Sequence, residues 1–324
     1  MNRIQSYGSH PFVRHGVTLA VLAFSTVYLW TTVDIFIAIE QVKSANLKIW
    51  VLSLIVFYAT ILFRTIRWRF LLSGMGLEPE LRSANRLMFL SLFFNTILPA
   101  KSGDLYRCYS ASEEYGESKS AHIGTVAVER TTDITLLLLG LLIGSASLFE
   151  RLILSRLSGT AALGVSIVGM SVTAFYVILS YHELVPQKVR DISVEFLRGF
   201  TATTTFSGTL VFLLLSIVIW SMNVVRIGLV TMSVGINMSL LNIFLIAILI
   251  TVLTGLPITP AGIGIVEAIT TSTLVFFGIA ASDGLAFVLV DRMITIVSMV
   301  VFGSVYFYYT QSNRNLPSRD LEKP

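Results

Sequence analysis

Apolar runs long enough to cross a lipid bilayer recur along the whole chain, and this feature decides what the chain can fold into. A crossing helix needs about 20 largely apolar residues. Hydrocarbon offers no water to exposed backbone groups, so spanning segments must satisfy their own hydrogen bonds. Runs at Gly16–Ile39, Asn46–Phe63, Ser158–Ser180, Gly208–Val225 and Ser239–Pro257 suit such crossings, and two longer ones, Ala121–Phe149 and Gly284–Tyr309, carry charges in their first halves. Only 13% of residues are charged, against about 25% in soluble domains. The expected fold is therefore an all-α polytopic membrane protein, with residues 1–324 forming one domain. The first run is longer than a signal peptide's apolar core and is expected to be retained. Residues 183–205 read as a polar or amphipathic connection, and 310–324 as a short tail.

Four histidines are scattered, and the single Cys108 excludes an internal disulfide or a cysteine metal cluster. No nucleophile–base arrangement, nucleotide-binding loop or nucleic-acid motif is present. The sequence therefore calls for no cofactor, no metal and no nucleic-acid partner.

The chain contains an internal echo. Pro99-Ala100-Lys101-Ser102-Gly103 recurs as Pro260-Ala261-Gly262-Ile263-Gly264, a PAxxG pattern displaced by 161 residues. Glu129-Arg130 recurs as Asp291-Arg292, and Arg64 as Arg226, both displaced by 162 residues. Matches at one offset suggest a duplication, with repeat one about 16–149 and repeat two about 158–309. The run Ser83–Leu98 is about 16 residues, short for a crossing and suited to a re-entrant segment. If each PAxxG hairpin leaves on the side where it entered, each half crosses three net times and the halves are inverted. That gives about eight membrane segments. With the N-terminus inside, the inner segments hold 16 Lys and Arg and the outer ones 5. This is the bias expected of cytoplasmic loops, with both termini cytoplasmic.

Pro99 lacks a backbone N–H and clashes with a preceding helical turn. Gly103 permits backbone angles that other residues avoid. Pro257, Pro260, Gly262 and Gly264 punctuate the second half in the same way. Broken backbone at membrane depth is tolerated where protein or a water-filled cavity satisfies it. In transporters built from inverted repeats, such paired breaks lie at the substrate site.

The charged residues each admit two readings. Arg64 and Arg67 share a helix face and suit phosphate oxygens; in RTIRWR, at the end of an apolar helix, they also suit an interfacial anchor beside Trp68. Arg107 follows the first break and is a candidate head-group ligand. Glu129, Arg130 and Asp133 lie within the membrane region, where ionisable residues are expensive and usually face a cavity or relay; an Arg130–Asp133 salt bridge is the alternative. Asp291-Arg292 repeats the problem in the second half. Asp104 follows the first break and suits the positive end of a following helix. Glu267 stands in an outer hairpin without Lys or Arg and suits proton coupling or a cationic head group. Asn95 suits either freed backbone or substrate.

RTIRWR (64–69), NTILPAKSGDLYR (95–107), ERTTD (129–133) and GLPITPAGIGIVE (255–267) together resemble the motif set of the lysylphosphatidylglycerol synthase transmembrane-region family, also called flippase-like domain proteins. The resemblance covers nearly the whole chain. It implies a lipid translocase, or a membrane protein acting on lipid-linked head groups. Bifunctional members add a soluble domain that transfers an aminoacyl group from tRNA to lipid. The residues after Tyr309 are too few to hold it, so no synthase activity is expected. The function expected is a lipid or lipid-linked-sugar flippase working by alternating access. The alternative is a non-catalytic accessory subunit that holds a glycosyltransferase or lipid-modifying enzyme at the cell membrane. The lack of catalytic groups disfavours an intramembrane transferase.

Overall fold

The structure, a computed structural model, describes residues 23, 26–98, 101–149, 187–202, 206–256 and 259–314. Among the described residues the regular elements are helical, as the hydropathy pattern requires. After a helical stretch at 26–32 come α1 (Ile35–Ser44), α2 (Leu47–Gly74), α3 (Leu81–Ile97), α4 (Ser102–Tyr115) and α5 (Lys119–Phe149). The second part has α6 (Gln187–Phe200), α7 (Phe206–Ser233), α8 (Leu240–Gly255), a 3-10 turn at Pro260–Gly262, α9 (Ile265–Phe276), α10 (Ala281–Arg292) and α11 (Ser298–Arg314). A π-helical turn, Met293–Val297, joins the last two.

Leu47–Gly74, Ser207–Ser233 and the continuous stretch Ala281–Thr310 are long and apolar enough to cross a membrane, and Leu240–Gly255 and Pro260–Phe276 are shorter apolar helices. The chain is thus a polytopic membrane protein. The candidate crossing Ser158–Ser180, together with Pro99 and Pro257, lies outside the described residues.

Helix starts follow local chemistry. Asn46 caps α2 by accepting from the backbone N–H groups of Lys48 and Ile49, and Ser239 caps α8 by accepting from Asn242. Asp34 does the same for α1. That cap corrects the first expected run: Gly16–Ile39 is not one uninterrupted helix, because Asp34 breaks it and restarts it. A second correction concerns RTIRWR. The helix does not end there but continues through it to Gly74. Arg67, at the centre of that motif, is buried with protein partners, and so the helix can continue.

The two parts share an order of elements: long helix, short helix, turn, short helix, long helix. Each builds its own apolar core. Ile61, Trp68, Leu72, Leu87, Met88 and Phe93 form one, with Met299 contributed by α11. Ile227, Ile246, Ile250, Val266, Leu274 and Phe287 form the other. The long helices α2 and α7 pack together, and the Ser53 hydroxyl on α2 donates to the Arg226 carbonyl on α7 at 3.2 Å.

In the first part α3 and α4 make a hairpin whose two ends lie side by side. Ser83 and Arg86 at the start of α3 bond Glu114 at the end of α4, and the Ser83 and Tyr115 hydroxyls are 2.5 Å apart. The close pairing of the two arms depends on Gly103, where a Cβ would lie 1.9 Å from the Ser91 carbonyl oxygen. This corrects the role expected for that glycine. Among the described residues of the break the left-handed one is Lys101, with φ 52°, and Gly103 is needed for space rather than for its backbone angles. In the second part its PAxxG counterpart Gly262 also has a positive φ, 73°, next to Ala261 with φ 50°.

The amphipathic α6 falls in the segment expected to be a polar connection. It docks on the first turns of α5, with Gly199 so close that a Cβ would lie 1.9 Å from the Ala121 carbonyl oxygen. Arg198 pairs with Glu117 at 3.0 Å.

Candidate functional site

Two hairpins built to pack closely bring their broken tips together. Helix α3 of the first packs against the 3-10 turn Pro260–Gly262 of the second. From the other side, the Lys101 ammonium approaches Gly255, lying 3.9 Å from where a Cβ on that glycine would stand. Around these tips the buried charges of the sequence gather into two groups.

In the first group Glu129 lies between two arginines. Its Oε2 accepts from Arg107 Nη2 at 2.5 Å, and its Oε1 is 3.7 Å from Arg67 Nε. Arg67 also reaches Asp133 Oδ1 at 2.8 Å and Ser216 on α7 at 3.1 Å. Arg107 is enclosed, only 2% exposed. Its guanidinium lies 4.7 Å over the Trp68 ring, and Nη1 contacts Met88 Sδ at 3.2 Å. Trp68 is therefore a buried platform, with its indole N–H donating to Thr125 at 3.2 Å, and not an interfacial anchor.

Asp104 ties the hairpin to α5. Its Oδ2 accepts from Arg130 Nη2 at 2.5 Å, and its Oδ1 accepts from the Asn95 side-chain amide at 3.0 Å and from Ser91 at 3.3 Å. Asn95 thus orients the acid rather than freed backbone. The expected Arg130–Asp133 pair is present only loosely, at 4.0 Å.

The second group is smaller. Arg226 on α7 pairs with Asp291 on α10, both almost fully buried. Glu267 accepts from the Gly264 backbone N–H at 2.6 Å and faces Arg292 Nε at 3.1 Å. Arg292 also donates to the Ala261 carbonyl at 3.2 Å, holding the broken backbone of the tip. So Glu267 caps a helix and neutralises an arginine. Asp291 turns away from its sequence neighbour Arg292 to a helix 65 residues earlier.

All the intramembrane charges singled out in the sequence are therefore gathered near the hairpins, and most neutralise one another. Arg64 is the exception among them: it is half-buried and has neither ion pair nor hydrogen bond among the described residues. Lys101 is in the same condition, and the sequence reading missed it as a site residue. Its signal was available: in the PAxxG pattern it is the cation that Gly262 replaces in the other half. Cavities also open, the first of them beside the second group. One of about 330 Å³ lies between α1 and α10, with Ile39, Val42, Leu289 and Arg292 in its walls. Another of about 620 Å³ lies at the base of the first hairpin, between Arg82, Arg86 and the Tyr306 and Tyr309 side chains of α11.

A family model described as the lysylphosphatidylglycerol synthase TM region matches residues 18–303. The chain is 29% identical to a UPF0104 membrane protein of Methanocaldococcus jannaschii over 226 residues, 68% of this chain and 96% of that protein. A UPF0104 membrane protein of Pyrococcus horikoshii is 19% identical over 323 residues, covering 90% of this chain and 93% of the relative. One from Methanothermobacter thermautotrophicus is 25% identical over 272 residues, 75% and 80% of the two chains. With the match running through both hairpins and both charge groups, this chain belongs to the lysylphosphatidylglycerol synthase transmembrane-region family.

Proposed function

We propose that this protein is a lipid translocase, moving the polar head group of a membrane lipid or lipid-linked saccharide across the bilayer by alternating access. Its halves are inverted repeats in the cell membrane, its termini face the cytoplasm, and it carries out no covalent chemistry. The observation that carries the reading is the meeting of two broken hairpins, one from each half, at a site ringed by buried charge. Helix interruptions at membrane depth are stable only where protein or a cavity satisfies them, and matched interruptions at a repeat interface are how transporters form midplane sites. The correspondence of parts supports the duplication. Asp104 to Arg130 and Glu267 to Arg292 join the same elements in each half, and Lys101 and its counterpart Gly262 both have positive φ.

Such an arrangement can act as a two-state device. The ion pairs between each hairpin and its neighbouring long helix hold a tip in place. Competition for those pairs by a charged head group gives the differential affinity that shifts a population between inward and outward states. The test is purified protein in liposomes that carry a head-group-labelled fluorescent phospholipid, with an impermeant quencher added outside. Translocation bleaches inner-leaflet label as well; quenching equal to that of protein-free liposomes for phospholipid and glycolipid probes alike would reject the proposal. The mutual pairing of most buried charges favours a second reading, a non-catalytic accessory subunit of a lipid-modifying or glycosyltransferase system whose charges serve as helix–helix glue. That reading expects no translocation and a co-purifying enzyme.

A further inference from the structure

The two charge groups differ in balance. The first holds five cations, Arg64, Arg67, Lys101, Arg107 and Arg130, against three carboxylates, Asp104, Glu129 and Asp133. Each carboxylate is already engaged: Glu129 by Arg107 and Arg67, Asp133 by Arg67, Asp104 by Arg130. Among the described residues, Arg64 and Lys101 are left over. Lys101 lies within electrostatic range of Arg64, Arg130, Asp104 and Asp133, and Arg64 within range of Asp133, Arg67, Arg130 and Glu129. The second group holds Arg226 and Arg292 against Asp291 and Glu267, all paired. Position for position, Arg64 corresponds to the neutralised Arg226 and Lys101 to the uncharged Gly262.

From this asymmetry we infer that Arg64 and Lys101 form the binding site for the phosphate of an anionic lipid head group, at the tip of the first hairpin. The inference rests on the translocase reading and names its substrate class. Unpaired charge at membrane depth is costly and needs a counter-charge. An anion supplies it; a zwitterionic head group brings no net charge, and a cationic one is repelled. The chemistry of the pair, a planar guanidinium fork and a compact ammonium, fits phosphate oxygens. The site also adjoins the amino end of the 14-residue α4, whose first N–H groups favour an anion.

Native mass spectrometry of the full chain, released from detergent, tests this with phosphatidylglycerol, phosphatidylcholine and a cationic diacyl lipid as probes. Wild-type protein should retain phosphatidylglycerol over phosphatidylcholine by about tenfold, the scale of one hydrogen bond to a charged group. Arg64→Gln with Lys101→Gln should erase the preference, Lys101→Arg should keep it, and Lys48→Gln, an exposed lysine away from the site, should not change it. If the double variant melts below wild type, Lys101→Gln alone, at the half-buried tip, carries the test. Equal retention of the two phospholipids, or a preference that survives loss of both cations, would overturn the inference. Soluble glycerol phosphate separates the sources. Weak competition fits a lipid, whereas displacement at the concentration of the lipid itself would overturn the lipid assignment for a free phosphate. Liposomes distinguish failure of the two proposals: phosphatidylcholine transported as well as phosphatidylglycerol refutes only the anionic site, while transport of no lipid refutes the translocase.

Discussion

Glu129→Gln asks what the buried carboxylate does. In the folded protein this side chain neutralises Arg107 at 2.5 Å and contributes to Arg67 at 3.7 Å. The two arginines are not equally dependent on it. Arg67 keeps Asp133 at 2.8 Å, whereas Arg107, among the described residues, has besides Glu129 the Trp68 face, a methionine sulfur and the longer-range charge of Asp104. Glutamine preserves size and offers an oxygen but leaves Arg107 buried without its directly bonded counter-charge. Breaking a buried pair this way costs about 3–5 kcal/mol; water defects in the membrane pull the figure toward ~3 kcal/mol. The partner substitution Arg107→Met removes the same pair from the other side and should cost a similar amount. Because a buried ion pair can often be replaced by apolar side chains at little cost, the double variant should recover most of one loss, a coupling of about 2–3 kcal/mol. The assay is reversible unfolding in mixed micelles, with yield and melting temperature alongside. Strict additivity of the two changes would show that Glu129 and Arg107 do not act on each other. Stable Glu129→Gln protein that has lost transport would instead make this acid a working group in the transport path rather than a neutraliser.

Gly103→Ala should abolish assembly of the first hairpin, because the added methyl meets the Ser91 carbonyl; Gly116→Ala, with open space but a φ of +79°, should cost only about 1–2 kcal/mol of left-handed strain, read as a modest drop in melting temperature. Cys108 is buried, so a membrane-impermeant maleimide should leave it unlabelled in intact and in permeabilised cells alike, and labelling only after denaturation checks this. In a Cys108→Ala background, a cysteine at Glu80 should label only after permeabilisation and one at Ser239 in intact cells; the reverse result would invert the proposed orientation. Arg107→Lys should lose stability despite keeping the charge, since an ammonium cannot both stack on Trp68 and reach Glu129 in the arginine's fork geometry; a melting temperature equal to wild type would refute the importance of that stacking.

The helices were legible because hydropathy and caps are local signals: Asn46 and Ser239 stand where α2 and α8 begin. The breaks were legible for the same reason, since Pro260 and its neighbours act on their own backbone. What was misread depended on distant partners. RTIRWR looked like a helix end because arginines in an oily run are too costly without counter-charges, and those of Arg67 come from Glu129 and Asp133, more than 60 residues on. The repeat offset located Glu129 and Asp291 as corresponding acids but could not say that one serves Arg107 and the other Arg226. Gly103 was credited with a backbone role because its real constraint, the approach of α3, is invisible in sequence. Lys101 was counted among inner charges because nothing local shows that a lysine lacks a partner.

The π-turn at Met293–Val297 sets the phase of everything after it. An α-helix advances about 100° per residue, and a π-turn accommodates one extra residue without a break in the helix. The insertion aims Gly303 at the Phe93 ring, where a Cβ would come within 2.3 Å. Deleting a single residue between Met293 and Val297 would leave a regular helix of nearly the same length and hydropathy, yet rotate α11 so that Val301, Phe302 and Val305, now outward, meet different surroundings. The two halves should therefore superpose along their long helices only up to Arg292, and beyond it only with a gap of one residue.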